Sequence, residues 1–151
     1  MFLILSGVSV LFLAGCGRHT LFTGMVDVRD AWAKGDAARF EVTVPDTDTR
    51  YNFYIDVRHT GKYRYSNLYL FMQTRFPDST YTRDTIEITL ATPDGKWLGK
   101  GWGEIKEDHV LVRHGFSFPL PGKYEFMIWQ GMRADTLKAV RSVGIDIEKV
   151  D

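Results

Sequence analysis

The sequence predicts an all-β fold, a single antiparallel β-sandwich of jelly-roll or immunoglobulin-like type with about eight strands. Three observations predict it. Apolar and polar residues alternate with period two through several segments, which puts one face of each against a core. Turn residues separate those segments, most sharply at Pro93-Asp94-Gly95 and Pro119-Leu120-Pro121-Gly122. No stretch sustains a 3.6-residue period and none repeats, so neither a helical layer nor a solenoid is expected.

The first strand runs from Ala38 to Val44, where Phe40, Val42 and Val44 alternate with Arg39, Glu41 and Thr43 before Pro45-Asp46 stops it. In the second, Tyr51, Phe53, Ile55 and Val57 alternate with Asn52, Tyr54, Asp56 and Arg58, and Thr60-Gly61-Lys62 turns the chain. Asn67 to Met72 is apolar almost throughout, which predicts a strand central in its sheet and covered on both faces. Thr85 to Ala91 alternates strictly, with Ile86, Ile88 and Leu90 inward. At Pro93-Asp94-Gly95, Pro presets φ, Asp bonds its own backbone and Gly takes positive φ, so the chain folds back into a short return strand at Lys96-Trp97-Leu98. Gly99, Gly101 and Gly103 then predict a close bend or bulge. Glu104 to Asp108 reads as polar loop, and His109 to Arg113 with Phe116 to Phe118 as a strand interrupted at Gly115. Lys123 to Gln130 alternates Tyr124, Phe126 and Ile128 against Glu125, Met127 and Trp129. Gly131 to Ala139 reads as a connection with at most one helical turn, and Val143, Ile145 and Ile147 form the last strand.

Ahead of the sandwich, Met1 to Gly15 carries no charge and is too short to span a bilayer, which takes about 20 apolar residues. Leu13, Ala14 and Gly15 before Cys16 match the lipobox, at which a signal peptidase cuts before a lipidated cysteine. No Lys or Arg precedes the apolar run, a departure from the usual signal segment. The expected organisation is a lipoprotein signal peptide over 1–15, a lipidated tether with a brief helical turn over 16–35, and the sandwich over 36–151. Trp32 is expected to plug the core edge. The lipobox predicts a cell-envelope protein held to the membrane by the lipid on Cys16, and the lack of acidic residues in Gly17-Arg18-His19 predicts that it faces the periplasm.

Composition narrows the function classes. Cys16 is the only cysteine among 151 residues, so its lipidation leaves no thiol for a disulfide, a Cys-metal site or a Cys nucleophile. Stability must come from the core, for which 10 Phe, 7 Tyr and 4 Trp supply material. Nineteen basic residues against 19 acidic ones argue against nucleic acid as a partner and against a polybasic membrane patch, since both need a clustered positive excess.

Chemical motifs are sparse. Gly99-Lys100-Gly101-Trp102-Gly103 precedes no helix pattern and reads as a β-bend rather than a phosphate loop. His19, His59, His109 and His114 offer no metal-ligand spacing, and Asp46-Thr47-Asp48 and Asp78-Ser79 lack the calcium-loop pattern. No GxSxG occurs, and Asp56, Asp84 and Glu87 are explained as strand-surface or turn residues rather than hydrolase carboxylates. No catalytic residue, metal, cofactor or small-molecule substrate is therefore expected. Gln130, Met132 and Arg133, after a strand complete by Trp129, mix directed hydrogen bonds with an adaptable apolar contact and suit a protein partner; Tyr69 and Trp97 are the fallback. The alternative is a carbohydrate-binding sandwich, which needs Tyr54, Tyr69, Trp97, Trp102 and Trp129 gathered on one concave face.

The wording of several segments is family-specific. Tyr65 to Leu70, Asp84-Thr85-Ile86-Glu87, Gly95 to Gly101, Pro121-Gly122-Lys123-Tyr124, Gln130 to Arg133, Leu137 and Val143 to Glu148, with Trp32 and Phe40, together resemble the gliding-motility lipoprotein GldH family. The resemblance spans nearly all of the chain from Trp32 onward. It implies an envelope lipoprotein that accompanies the gliding machinery and its type IX secretion apparatus, with other envelope proteins as partners and no known catalytic residue.

Overall fold

The computed structural model describes residues 19–151. The lipobox and Cys16 lie outside the described residues. Ten strands follow one another: β1 (Thr20–Asp27), β2 (Ala31–Ala33), β3 (Ala38–Val44), β4 (Tyr51–Thr60), β5 (Asn67–Arg75), β6 (Tyr81–Thr89), β7 (Ile105–Phe116), β8 (Gly122–Gln130), β9 (Thr136–Lys138) and β10 (Val140–Lys149). They form two four-stranded antiparallel sheets, ordered β1-β10-β4-β7 and β3-β8-β5-β6, with β2 and β9 paired as a ribbon.

Period-two patterning builds the core between the sheets. Phe53, Ile55 and Val57 of β4 and Val143, Ile145 and Ile147 of β10 are buried on the inner face of one sheet. Phe40 and Val42, Leu68 and Leu70, Ile88, and Phe126 and Ile128 are buried on the other. Aromatic pairs join the layers, with ring centroids 5.2 Å apart for Phe53 and Phe126 and 5.6 Å for Tyr51 and Phe118.

Five local expectations need correction. Residues 20–33 are not tether and helical turn. They form β1 and β2, so the sandwich begins at Thr20 rather than at 36. β1 pairs along β10, from Thr20 opposite Glu148 to Asp27 opposite Ser142. Gly144 permits that approach, since a Cβ there would run into the Met25 side chain and the Gly24 carbonyl. β5 is central as expected, but among the described residues nothing covers its outer face, where Tyr69 and Phe71 are 38% and 45% exposed. Residues 105–108 are strand rather than loop, because Asp108 points inward and is buried. Gly115, at φ 59°, lies inside β7 at a bulge instead of breaking it. Finally, the 131–139 connection holds β9 rather than a helical turn, and its Leu137 is buried opposite Trp32.

Other expectations hold. Trp32 is buried, and its indole N–H donates to the Asp36 carbonyl at 2.8 Å. The 93–95 turn places Gly95 at φ 87°, but the return strand expected at Lys96-Trp97-Leu98 is reduced to a single isolated bridge from Trp97 to Ala91.

Candidate functional site

The loop after β8 was the leading candidate from sequence, and the structure divides it. Gln130 is fully buried. Its carbonyl oxygen accepts from the Met132 backbone N–H at 2.8 Å and its amide donates to the Ala134 carbonyl at 2.7 Å. Both polar ends of the side chain are thus spent on shaping the loop. Met132 is also buried, and its sulfur accepts from the Tyr69 N–H at 3.2 Å. These two residues hold the fold and offer nothing to a partner. Arg133 alone is exposed. Among the described residues it makes no ion pair with Asp135 or any other carboxylate.

Tyr69 fares better. On the outer face of the β3-β8-β5-β6 sheet it precedes Phe71 by two residues, at strand spacing, and Phe71 stands directly opposite Trp129 of β8. Lys34, Gln73, Arg83 and Thr85 rim the groove that Phe71 and Trp129 line. The Glu87 carboxylate, directly across from Tyr69, pushes the Tyr69 hydroxyl above its ordinary value. Phe71 was missed from sequence because an unbroken apolar run reads as covered on both faces. Trp97 belongs elsewhere: half-buried, it packs its ring 4.6 Å from that of His59.

The aromatics proposed for a sugar platform do not gather. Tyr54 stacks on His109 at 4.1 Å on the outer face of the other sheet, Trp97 covers His59, and Trp102 is fully exposed on the glycine bend. Only Tyr69 and Trp129 share a face.

Two polar clusters were invisible in sequence because separate strands assemble them. His59 and Asp108 are buried with Nε2 and Oδ2 3.2 Å apart, while His59 Nδ1 lies 3.0 Å from the Thr60 carbonyl. Gly99 makes room for them, since a Cβ there would sit 2.6 Å from Asp108 Oδ2. On the outer face of the β1-β10-β4-β7 sheet, Asp56, His109 and Asp146 bring ligand-type atoms within 4.8 Å of one another. The group is largely satisfied internally: His109 Nδ1 lies 2.6 Å from Asp56 Oδ1, and Thr23 donates to Asp146 at 2.9 Å. Burial raises the Asp56 carboxyl above its ordinary value, the His109 hydrogen bond opposes this, and the Asp146 charge adds to it.

What the fold and these surfaces define is an antiparallel sandwich domain that, among the described residues, leaves an aromatic face uncovered. A family model described as GldH lipoprotein matches residues 21–147. The gliding motility lipoprotein GldH homolog of Christiangramia forsetii is 30% identical over 150 residues, covering 95% of this chain and 92% of its own length. The gliding motility lipoprotein GldH of Flavobacterium johnsoniae is 29% identical, covering 95% and 93%. The chain belongs to the GldH lipoprotein family. Among solved structures, CBM35 from Cellvibrio japonicus covers 86% of this chain and 99% of its own at 11% identity, with a TM-score of 0.35.

Proposed function

We propose that the chain is lipidated at Cys16 after removal of residues 1–15, faces the periplasm, and acts without catalysis as a docking or assembly component of the gliding and type IX secretion apparatus. Family membership supports the lipoprotein part of this reading, and the names of both relatives support the motility part. The observation that carries docking is the uncovered outer face of β5 and β8, where Tyr69, Phe71 and Trp129 meet solvent beside Arg83 and Lys34. Leaving large aromatics unburied forgoes hydrophobic stabilisation in the free domain, and that stabilisation is recovered when a partner covers them. Rigid aromatics with arginine nearby are the side chains that dominate protein interfaces.

Two substitutions in the full-length protein test the parts separately. Cys16→Ser is expected to release the protein from the membrane fraction, and unchanged retention would overturn the anchor. Phe71→Asp is expected to keep the wild-type melting temperature and membrane level while losing crosslinks to envelope partners. Crosslinks at the wild-type level would overturn docking through this face.

A further inference from the structure

The expected twenty-residue tether does not exist as a spacer, because β1 begins at Thr20. Only Gly17 and Arg18 separate Cys16 from His19. Three residue steps reach at most about 10 Å. Under the anchoring reading above, on which this inference rests, the end of the sandwich carrying His19 is held against the headgroups. That end is well defined. The His19 carbonyl accepts from the Lys149 N–H, His19 lies 3.1 Å from Asp151, and the Arg50 carbonyl accepts from the Val150 N–H at 2.9 Å.

The opposite end lies about 30 Å away, the length of a ten-residue strand such as β4. There Thr60 pairs with Ile105. The segments 60–66 and 91–106 are tied together by hydrogen bonds from Gly61 N–H to the Glu104 carbonyl at 3.2 Å and from Ala91 N–H to the Ser66 carbonyl at 3.1 Å. In these two segments Lys62, Arg64, Lys96, Lys100 and Lys106 stand against only Asp94 and Glu104. The neutral chain is therefore locally basic at this end. Adjacent Glu107 does not offset the excess, since Arg58 holds it at 3.0 Å. At the summit of the glycine bend Trp102 is 100% exposed, with Leu98 at 52% and Tyr65 at 43%. The bend is built to hold this shape: Gly101 has φ 145°, its carbonyl accepts from Lys106 Nζ at 2.9 Å, and a Cβ on Gly101 would strike the Ile105 carbonyl.

We propose that this far end is a second docking site, in which Trp102 enters an apolar cleft with an acidic rim on another envelope protein. Trp102 buries nothing in the free domain, so folding gives no reason for a tryptophan at that position. An exposed tryptophan at a lysine-rich end also suits an anionic membrane surface. The anchor geometry favours a protein, because the membrane that holds Cys16 lies at the other end of the sandwich. The lysines provide the charge complementarity that steers and orients an acidic partner.

The test places a photoreactive phenylalanine analogue at position 102 of the full-length lipoprotein in living cells. The expected result is a discrete protein adduct that falls at least tenfold when Lys96→Glu and Lys100→Glu are introduced together. Adducts to lipid alone, no adduct, or an adduct indifferent to the charge reversal would overturn the proposal. Fractionating the same cells keeps the two readings apart. Membrane-retained protein without an adduct sinks the tip alone, whereas release into the soluble fraction overturns the anchor and, with it, the geometry that orients the tip. Trp102→Ser, at a site with no packing role, is expected to leave the melting temperature unchanged while reducing spreading or secretion.

Discussion

Ile88 lies near the end of β6 with no exposed surface, between half-buried Ile86 and buried Leu90 just past the strand. Ile88→Ala leaves a cavity under a close-packed layer and is expected to cost about 2 to 5 kcal/mol in urea unfolding. A loss below about 0.5 kcal/mol, the range of surface changes, would contradict the inward assignment. Gln130 makes a different prediction from its old role as a binding candidate. Gln130→Ala orphans a buried N–H and a carbonyl at once, each costing about 1 to 3 kcal/mol. Function and membrane level are therefore expected to fall together, and a variant that loses function at full level and full stability would return Gln130 to the interface. Asp56 governs a pH response. Its folded-state pKa lies above the ordinary value of 3.8, chiefly through burial. The folded protein thus holds this proton more tightly than the unfolded chain. That contribution to stability is complete below the unfolded value and is lost as pH rises through the folded one. Asp56→Asn is expected to flatten this decline in unfolding titrations at successive pH values, and an unchanged slope would assign the decline to other groups.

At the scale of elements, the strands legible in sequence were those with one buried and one wet face. β3, β4, β8 and β10 announce themselves by alternation, and their inward residues are the core. β1 does not, since Leu21, Phe22, Gly24, Met25 and Val26 follow no clean period and the strand is only half-buried along most of its length. As an edge strand it takes its place from β10, whose Gly144 opens the space, and that is a property of the pair. The early part of β7 was hidden for a related reason. Asp108 reads as loop until His59 is seen beside it, supplied by a strand some fifty residues earlier. The exposure of Arg133 follows from its loop position, but the open outer face at Tyr69 and Phe71 was not legible, because an unbroken apolar run reads as covered on both faces. Arg133→Ala is expected to shift stability by no more than about 0.5 kcal/mol. Loss of envelope crosslinks at that unchanged stability would extend the interface to this loop, while retained crosslinks would confine it to the strand face.

Across the whole molecule, the absence of a spacer after Cys16 matters more than any single contact. Under the lipidation proposed at Cys16, a domain that begins four residues past that cysteine cannot wander far from the bilayer, so its faces would be presented at fixed heights. The aromatic face of β5 and β8 lies along its side and Trp102 at its far end. Such a body is suited to holding other envelope proteins in register. The claim that it does so through the aromatic face is tested most directly by complementation. In a strain lacking the native copy, full-length Phe71→Asp is to be compared with wild type for type IX secretion at matched membrane levels. The account predicts wild-type abundance with secretion lost, and secretion at the wild-type rate would contradict it.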